Sequence, residues 1–255
     1  MYMIASWGSS GAGKTTVALA LAAAFAQMKR DVLVISSETR TPALPVMLPL
    51  VKDIDSRNSI GPLLAASSVT EASLKDRMIR HPKSSRIFVM GLASGEATAI
   101  TYSTPTRAAA LNLFQLLMQT PFAYVIVDCD SSPLYDQMTL AALEYAQSGL
   151  MIMTPDVKGY EFQKAQLSWL SNSDVFHLER FSKVASPTYP FSPMSEARAL
   201  FGGFSSELPH SPEVAEKMMA GELLTGLSSG SGVLFERRIK QLAKTLEQEA
   251  IKNAR

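Results

Sequence analysis

The chain has 255 residues, 47% hydrophobic and 18% charged, enough to bury a sizeable core without covalent staples. Its 24 basic and 23 acidic residues leave a formal charge of +1, so no global field draws it onto nucleic acid or an anionic membrane, and either partner would need a local patch. One cysteine, Cys129, excludes an intramolecular disulfide framework and every multi-cysteine metal spacing within one chain, which points to an intracellular, cytoplasmic protein.

In chain order, residues 1–6 are apolar and β-compatible. They run into Trp7-Gly8-Ser9-Ser10-Gly11-Ala12-Gly13-Lys14-Thr15-Thr16, and an alanine- and leucine-rich stretch continues to Met28. Gly8, four residues, then Gly13-Lys14-Thr15 satisfy G-x-x-x-x-G-K-[ST], and strand, glycine loop and helix are the setting that this motif requires. Glycines at 8, 11 and 13 permit backbone angles that a Cβ forbids, so the N–H groups from Gly8 through Ser9, Ser10, Gly11, Ala12 and Gly13 to Lys14, Thr15 and Thr16 turn toward one anion. The helix behind them, with Val17, Leu21, Phe25 and Met28 on one stripe, adds its positive end to the same point. Lys14 supplies the charge on the β/γ oxygens, and the Thr15 hydroxyl suits Mg²⁺. The apolar run from Val17 to Ala26 is too short to span a bilayer.

A second strand, 31–35, leads to Glu38 and Arg40 and then a stretch punctuated by Pro42, Pro45 and Pro49. Glu38, one helix after the phosphate loop, would orient the attacking water, reach the metal through water, or stand as a solvated loop acid. Next come a hydrophobic turn at 61–64, a helix over 70–80 and a strand over 86–90. Arg77, Arg80, Lys83 and Arg86 form the best local basic cluster, read as a solvated face or a nucleic-acid patch. Helices are expected at 106–119, 136–147, 157–170, 193–202 and 212–220, with strands near 123–128, 149–154, 181–186 and 205–208.

The strand at 123–128 is aliphatic throughout, as in a parallel sheet covered on both faces, and it delivers Asp128 to the carboxyl edge, where a second metal-holding acid is needed. Cys129 reads as a small buried residue. Asp130 reads equally as part of a second switch or as a cap for the turn at 131–133. His81, His177 and His210 show no metal-ligand spacing. Ser228 to Gly232 reads as a hinge. Beyond it Phe235, Ile239, Leu242 and Leu246 mark an amphipathic helix over 233–252 that packs across the domain or docks on a membrane.

Four segments in order resemble the ParA/MinD group of P-loop ATPases: Gly13-Lys14-Thr15-Thr16, the strand and acid ending at Glu38, Val127-Asp128-Cys129-Asp130, and Glu207-Leu208-Pro209-His210-Ser211-Pro212-Glu213-Val214. The stretch from Ile60 to Gly95 looks like the subgroup of the pilus-assembly ATPases CpaE and TadZ. The resemblance implies an α/β fold of the P-loop NTPase three-layer type, a mostly parallel sheet with helices on both faces, forming one domain over residues 1–255. It also implies ATP with Mg²⁺ as ligands, a nucleotide-dependent homodimer, and a protein partner that stimulates turnover. Lys14, Glu38 and Asp128 would be catalytic, and Thr15 and Asp128 would hold the metal. The family's signature lysine falls at Ser9, and Arg40 reads as an ordinary surface arginine or as a substitute cation. The expected role is partitioning or positioning of DNA, a plasmid, or a pilus or conjugation assembly, in the cytoplasm or peripherally at membrane or nucleoid. The alternatives are a metabolic P-loop enzyme acting on a small molecule, or an ATP-binding module with little turnover.

Overall fold

A computed structural model describes residues 1–52, 54–66, 69–172, 176–187 and 189–253. The first half comprises β1 (Tyr2–Gly8), α1 (Lys14–Gln27), β2 (Val32–Ser36), α2 (Leu44–Met47), α3 (Gly61–Ala65), α4 (Glu71–Lys75), β3 (Ile79–Arg80), β4 (Ile87–Met90), α5 (Thr98–Thr101), α6 (Arg107–Leu117) and β5 (Tyr124–Asp128). The second half comprises α7 (Gln137–Tyr145), β6 (Ser148–Met153), α8 (Val157–Leu170), β7 (Phe181–Ala185), α9 (Met194–Phe201), β8 (Ser206–Glu207), α10 (Pro212–Met219) and α11 (Gly230–Asn253).

The strands form one sheet in the order β3-β4-β2-β5-β1-β6-β7-β8, parallel except for the edge strand β3. Strands β1, β2, β5 and β6 are buried along their whole length, as their unbroken apolar runs require of a sheet covered on both sides. One face carries a core of α1, α10 and α11 residues over Ile4, Val34 and Ile126. The other packs α6 and α7 residues, with Leu170 and Phe201, against Met3, Leu33 and Val125. This is the three-layer α/β arrangement expected.

Helix α1 departs from the expected single stripe, because every residue from Val17 to Phe25 is buried. It lies between the sheet and α11, whose Phe235, Ile239, Leu242 and Leu246 share its core. The apolar face of α11 is therefore already covered by protein. The hinge expected at 228–232 is instead the entry to α11, which runs from 230 to 253 rather than 233 to 252. There the N–H and hydroxyl groups of Ser228 and Ser229 hold the Glu213 carboxylate at 2.6–3.0 Å.

The helix expected over 70–80 is short. Thr70 and Ser73 cap its start reciprocally, but it ends at Lys75, and Ile79 and Arg80 pair with Val89 and Phe88 instead. Strand pairing and the Arg80 guanidinium 5.4 Å over the Phe88 ring override local propensity there. The four-residue turn at 61–64 is the start of α3, and the proline-punctuated stretch holds α2.

Candidate functional site

Gly8 ends β1 where Ile152 of β6 is its partner, and a Cβ on Gly8 would lie 1.8 Å from the Ile152 carbonyl oxygen. Only glycine lets the chain leave the sheet there. Gly13 takes φ +82° as it enters α1, a left-handed value that permits the turn. The helix start has no side-chain cap and no acid in its first turn. The first-turn N–H groups are thus left to a ligand of negative charge.

The Ser9 hydroxyl is buried and turned toward β6, accepting the Thr154 N–H at 3.4 Å. The Ser9 carbonyl accepts the Ala12 N–H at 3.3 Å and the Lys14 Nζ at 3.2 Å, folding the loop on itself. Lys14 Nζ also donates to Ser131 Oγ at 2.6 Å. Burial pulls the Lys14 ammonium below its ordinary range, opposed by Asp128 and Asp130.

Asp128 comes to the loop because β5 pairs with β1 in a register that sets Ser6 beside it, and with β2 in one that sets Ser36 there. Its Oδ2 accepts the Thr15 hydroxyl at 2.7 Å, while the buried Oδ1 has no partner among the described residues. Burial pushes this carboxyl up to about 6, against the Thr15 bond and the Lys14 charge. A hydroxyl and a buried carboxylate with one free oxygen fit Mg²⁺, which takes few protein ligands and keeps waters and phosphate oxygens. Among the described residues there is no cluster of three or more acid, histidine or cysteine ligands, so the fit is to a metal shared with phosphate rather than one caged by protein.

Glu38 stands at the same end: Lys14, Thr15, Ser36, Glu38, Asp128 and Cys129 all line a cavity of about 190 Å³. Burial, then the neighbouring Asp130, push the Glu38 carboxyl up to about 7. Arg40 does not line this cavity. Its Nη2 lies 2.8 and 2.7 Å from the two oxygens of Asp130, whose side chain is fully buried, and its Nε is 3.6 Å from Glu38 Oε1. Asp130 also accepts the Ser132 N–H at 2.5 Å, so it caps the turn that follows β5. Cys129 is buried and its thiol is pushed up by burial, as befits a packing residue.

Sequence reasoning missed the other wall of the site. A cavity of about 420 Å³ opens beside Gly11, Gly13 and Thr16 and is lined by Ser186 and Pro187 after β7 and by Pro209, His210 and Ser211 after β8. Of the three histidines, His210 therefore belongs to the site's rim. The Pro209-His210-Ser211-Pro212 turn was the available signal. The basic cluster is dispersed among separate partners: Arg77 on the Ser56 carbonyl, Arg80 on Phe88, Lys83 on Glu222 and Arg86 on Asp31. Among the described residues no helix is long and apolar enough to cross a membrane.

A glycine loop ahead of an uncapped helix, with a lysine, a threonine and a buried aspartate converging at the carboxyl edge of a parallel sheet, defines a P-loop nucleotide-binding protein. Residues 2–254 match the CobQ/CobB/MinD/ParA nucleotide binding domain, and the chain belongs to that family. No curated protein sequence matches it. Its fold is that of the ParA and MinD ATPases. A ParA family ATPase from Chlorobium tepidum superposes with a TM-score of 0.76 at 15% identity, over 95% of this chain and 98% of that one. The cell division ATPase MinD of Pyrococcus furiosus gives 0.73 at 15%, over 96% and 99%. The septum site-determining protein MinD of Pyrococcus horikoshii, solved with Mg-ADP, gives 0.72 at 15%, over 98% of each chain.

Proposed function

We propose that the chain, as one domain, is a Mg²⁺-dependent ATPase that dimerises on ATP and uses turnover to partition or position DNA, a plasmid, or a pilus or conjugation assembly. The observation that carries this reading is the Thr15–Asp128 bond at 2.7 Å beside the phosphate loop, with Asp128 Oδ1 free to receive a metal-bound water. The Mg-ADP held by Pyrococcus horikoshii MinD supports the same ligands here.

In this reading the amides of residues 8–16 hold the β-phosphate, and Lys14 leaves Ser131 to meet the β/γ oxygens. Thr15 and Asp128 hold Mg²⁺, which when bound neutralises charge developing on the phosphates. Glu38 aims a water at the γ-phosphorus. As the new P–O bond forms, the β–γ bridging oxygen leaves with ADP, and the water's proton passes to Glu38 and then to the released phosphate. The larger cavity beside Gly13 accepts the base.

Dimerisation is supported by exposed apolar side chains on the segments that follow strands at the nucleotide edge of the sheet. Ile100 follows β4, Tyr135 follows β5, and Tyr189 and Phe191 follow β7, each at least 72% exposed. A second reading, an ATP-binding module with little turnover, is favoured by Ser9. Its hydroxyl is committed to Thr154 and carries no charge to offer a partner's phosphates. ATP hydrolysis alone, with DNA and with liposomes, beside gel filtration with and without ATP, separates the two. Stimulated turnover with a nucleotide-dependent dimer supports the switch; binding without turnover supports the module.

A further inference from the structure

Arg40 and Asp130 lie in the segments that follow two neighbouring strands, β2 and β5, and neither reaches the phosphate loop itself. Asp130 is anchored on all sides. Its N–H donates to Thr139 Oγ1 at 3.0 Å and Ser37 Oγ at 3.3 Å, those two hydroxyls bond each other at 2.7 Å, and its carboxylate holds the Ser132 N–H. The network ties the end of β2, the segment after β5 and helix α7 into one buried unit. Both carboxylate oxygens then grip Arg40 Nη2 at 2.8 and 2.7 Å.

The other end of Arg40 faces Glu38. Its backbone N–H donates to Glu38 Oε1 at 3.0 Å, and its Nε lies 3.6 Å from the same oxygen. The guanidinium is thus held from behind by a buried anion and presents a second edge to the acid that lines the metal-end cavity. A rigid planar fork can do this for two carboxylates at once, whereas a lysine ammonium cannot span them with the same geometry.

We infer that Asp130 and Arg40 are positioning residues: Asp130 fixes Arg40, and Arg40 fixes the Glu38 carboxylate toward the γ-phosphate end of the site. The inference rests on the reading of Glu38 as the group that aims water. It replaces the expectation of Arg40 as a substitute phosphate cation with a role exerted through Glu38. Misplacing an orienting group by about 1 Å costs up to about a hundredfold in rate, so the effect appears in turnover rather than in nucleotide affinity.

The test is single-turnover hydrolysis of Mg-ATP beside affinity for Mg-AMPPNP, in wild type, Glu38→Gln, Arg40→Ala, Arg40→Lys, Asp130→Asn and the double variant Arg40→Ala/Glu38→Gln. The single variants are expected to hydrolyse ATP roughly tenfold to a hundredfold more slowly while AMPPNP affinity stays within about twofold. Arg40→Lys keeps the charge and loses the fork, so it is expected to be as slow as Arg40→Ala. The double variant is expected to be no slower than Glu38→Gln, since Arg40 has nothing left to position. Losses that multiply in the double variant, or an Arg40→Ala rate at or above wild type, overturn the inference. Should Asp130→Asn fail to fold, the Arg40/Glu38 cycle decides alone. A wild type that binds ATP without hydrolysing it, or a Glu38→Gln variant at wild-type rate, overturns the proposed function and this inference together. A slow Glu38→Gln beside an unaffected Arg40→Ala overturns the inference only.

Discussion

Asp128 shows how one side chain links burial to ligand binding. With one oxygen on Thr15 and the other without a partner among the described residues, its ionised form is costly in the nucleotide-free chain, and burial pushes its carboxyl up to about 6. Asp128→Asn keeps an oxygen for the Thr15 hydroxyl and removes the charge. It is expected to stabilise the nucleotide-free chain at pH 8 by roughly 2–3 kcal/mol, taking about 1.4 kcal/mol per pKa unit. The same change should abolish the Mg²⁺ dependence of nucleotide binding. Urea unfolding and titration of nucleotide with and without Mg²⁺ check both, and a destabilised variant that still responds to Mg²⁺ contradicts the assignment. Lys14, Thr15, Asp128 and Glu38 were legible in the sequence because each is fixed by a local pattern, a motif or the end of an aliphatic run. The Arg40–Asp130 pair was not, because the partners are 90 residues apart and meet only through the β2–β5 register.

Among the elements, α7 is tied to the site by its cap. Asp136 accepts the Met138 N–H at 2.8 Å and the Thr139 N–H at 3.2 Å, yet burial pushes its carboxyl up to about 7. A folded-state pKa above the unfolded value means the native chain holds protons that the unfolded chain releases. Stability is therefore greatest below about pH 4 on account of this group and is lost as pH rises toward 7. Glu38 and Asp128 act in the same direction. The nucleotide-free chain should accordingly melt a few degrees higher at pH 5 than at pH 8. Asp136→Asn, which retains the capping oxygen, should flatten that slope; a melting temperature that rises from pH 5 to pH 8 rejects the account. Elements with a clear pattern were legible, β1 and β5 as unbroken apolar runs and α11 as a stripe at helical spacing. The helix over 70–80 was overextended because the edge pairing of Ile79 and Arg80 with β4 leaves no local trace.

Across the whole molecule, the sheet order decides what meets the nucleotide. Because β6, β7 and β8 follow β1 outward, the loops after β7 and β8 close a cavity against the P-loop; the turn at Pro209-His210-Ser211-Pro212 is visible in the sequence, but its place beside the P-loop is set by the strand order. The same order places Ile100, Tyr135, Tyr189 and Phe191 in the segments after β4, β5 and β7, at one edge. Phe191→Asp is expected to prevent the ATP-dependent dimer in gel filtration while leaving monomer melting unchanged; a dimer that persists places the interface elsewhere. The intact chain should not sediment with liposomes, since the apolar stripe of α11 is covered by α1. Lipid-dependent sedimentation lost on deleting residues 233–255 would show that this helix releases.

The most direct test of the central claim is the affinity of Lys14→Ala for ATP, measured by calorimetry beside wild type. A polyphosphate held by loop amides and the Lys14 ammonium predicts a loss of at least about a hundredfold, roughly 2.7 kcal/mol, with the fold retained. Equal affinity in the two proteins would contradict it.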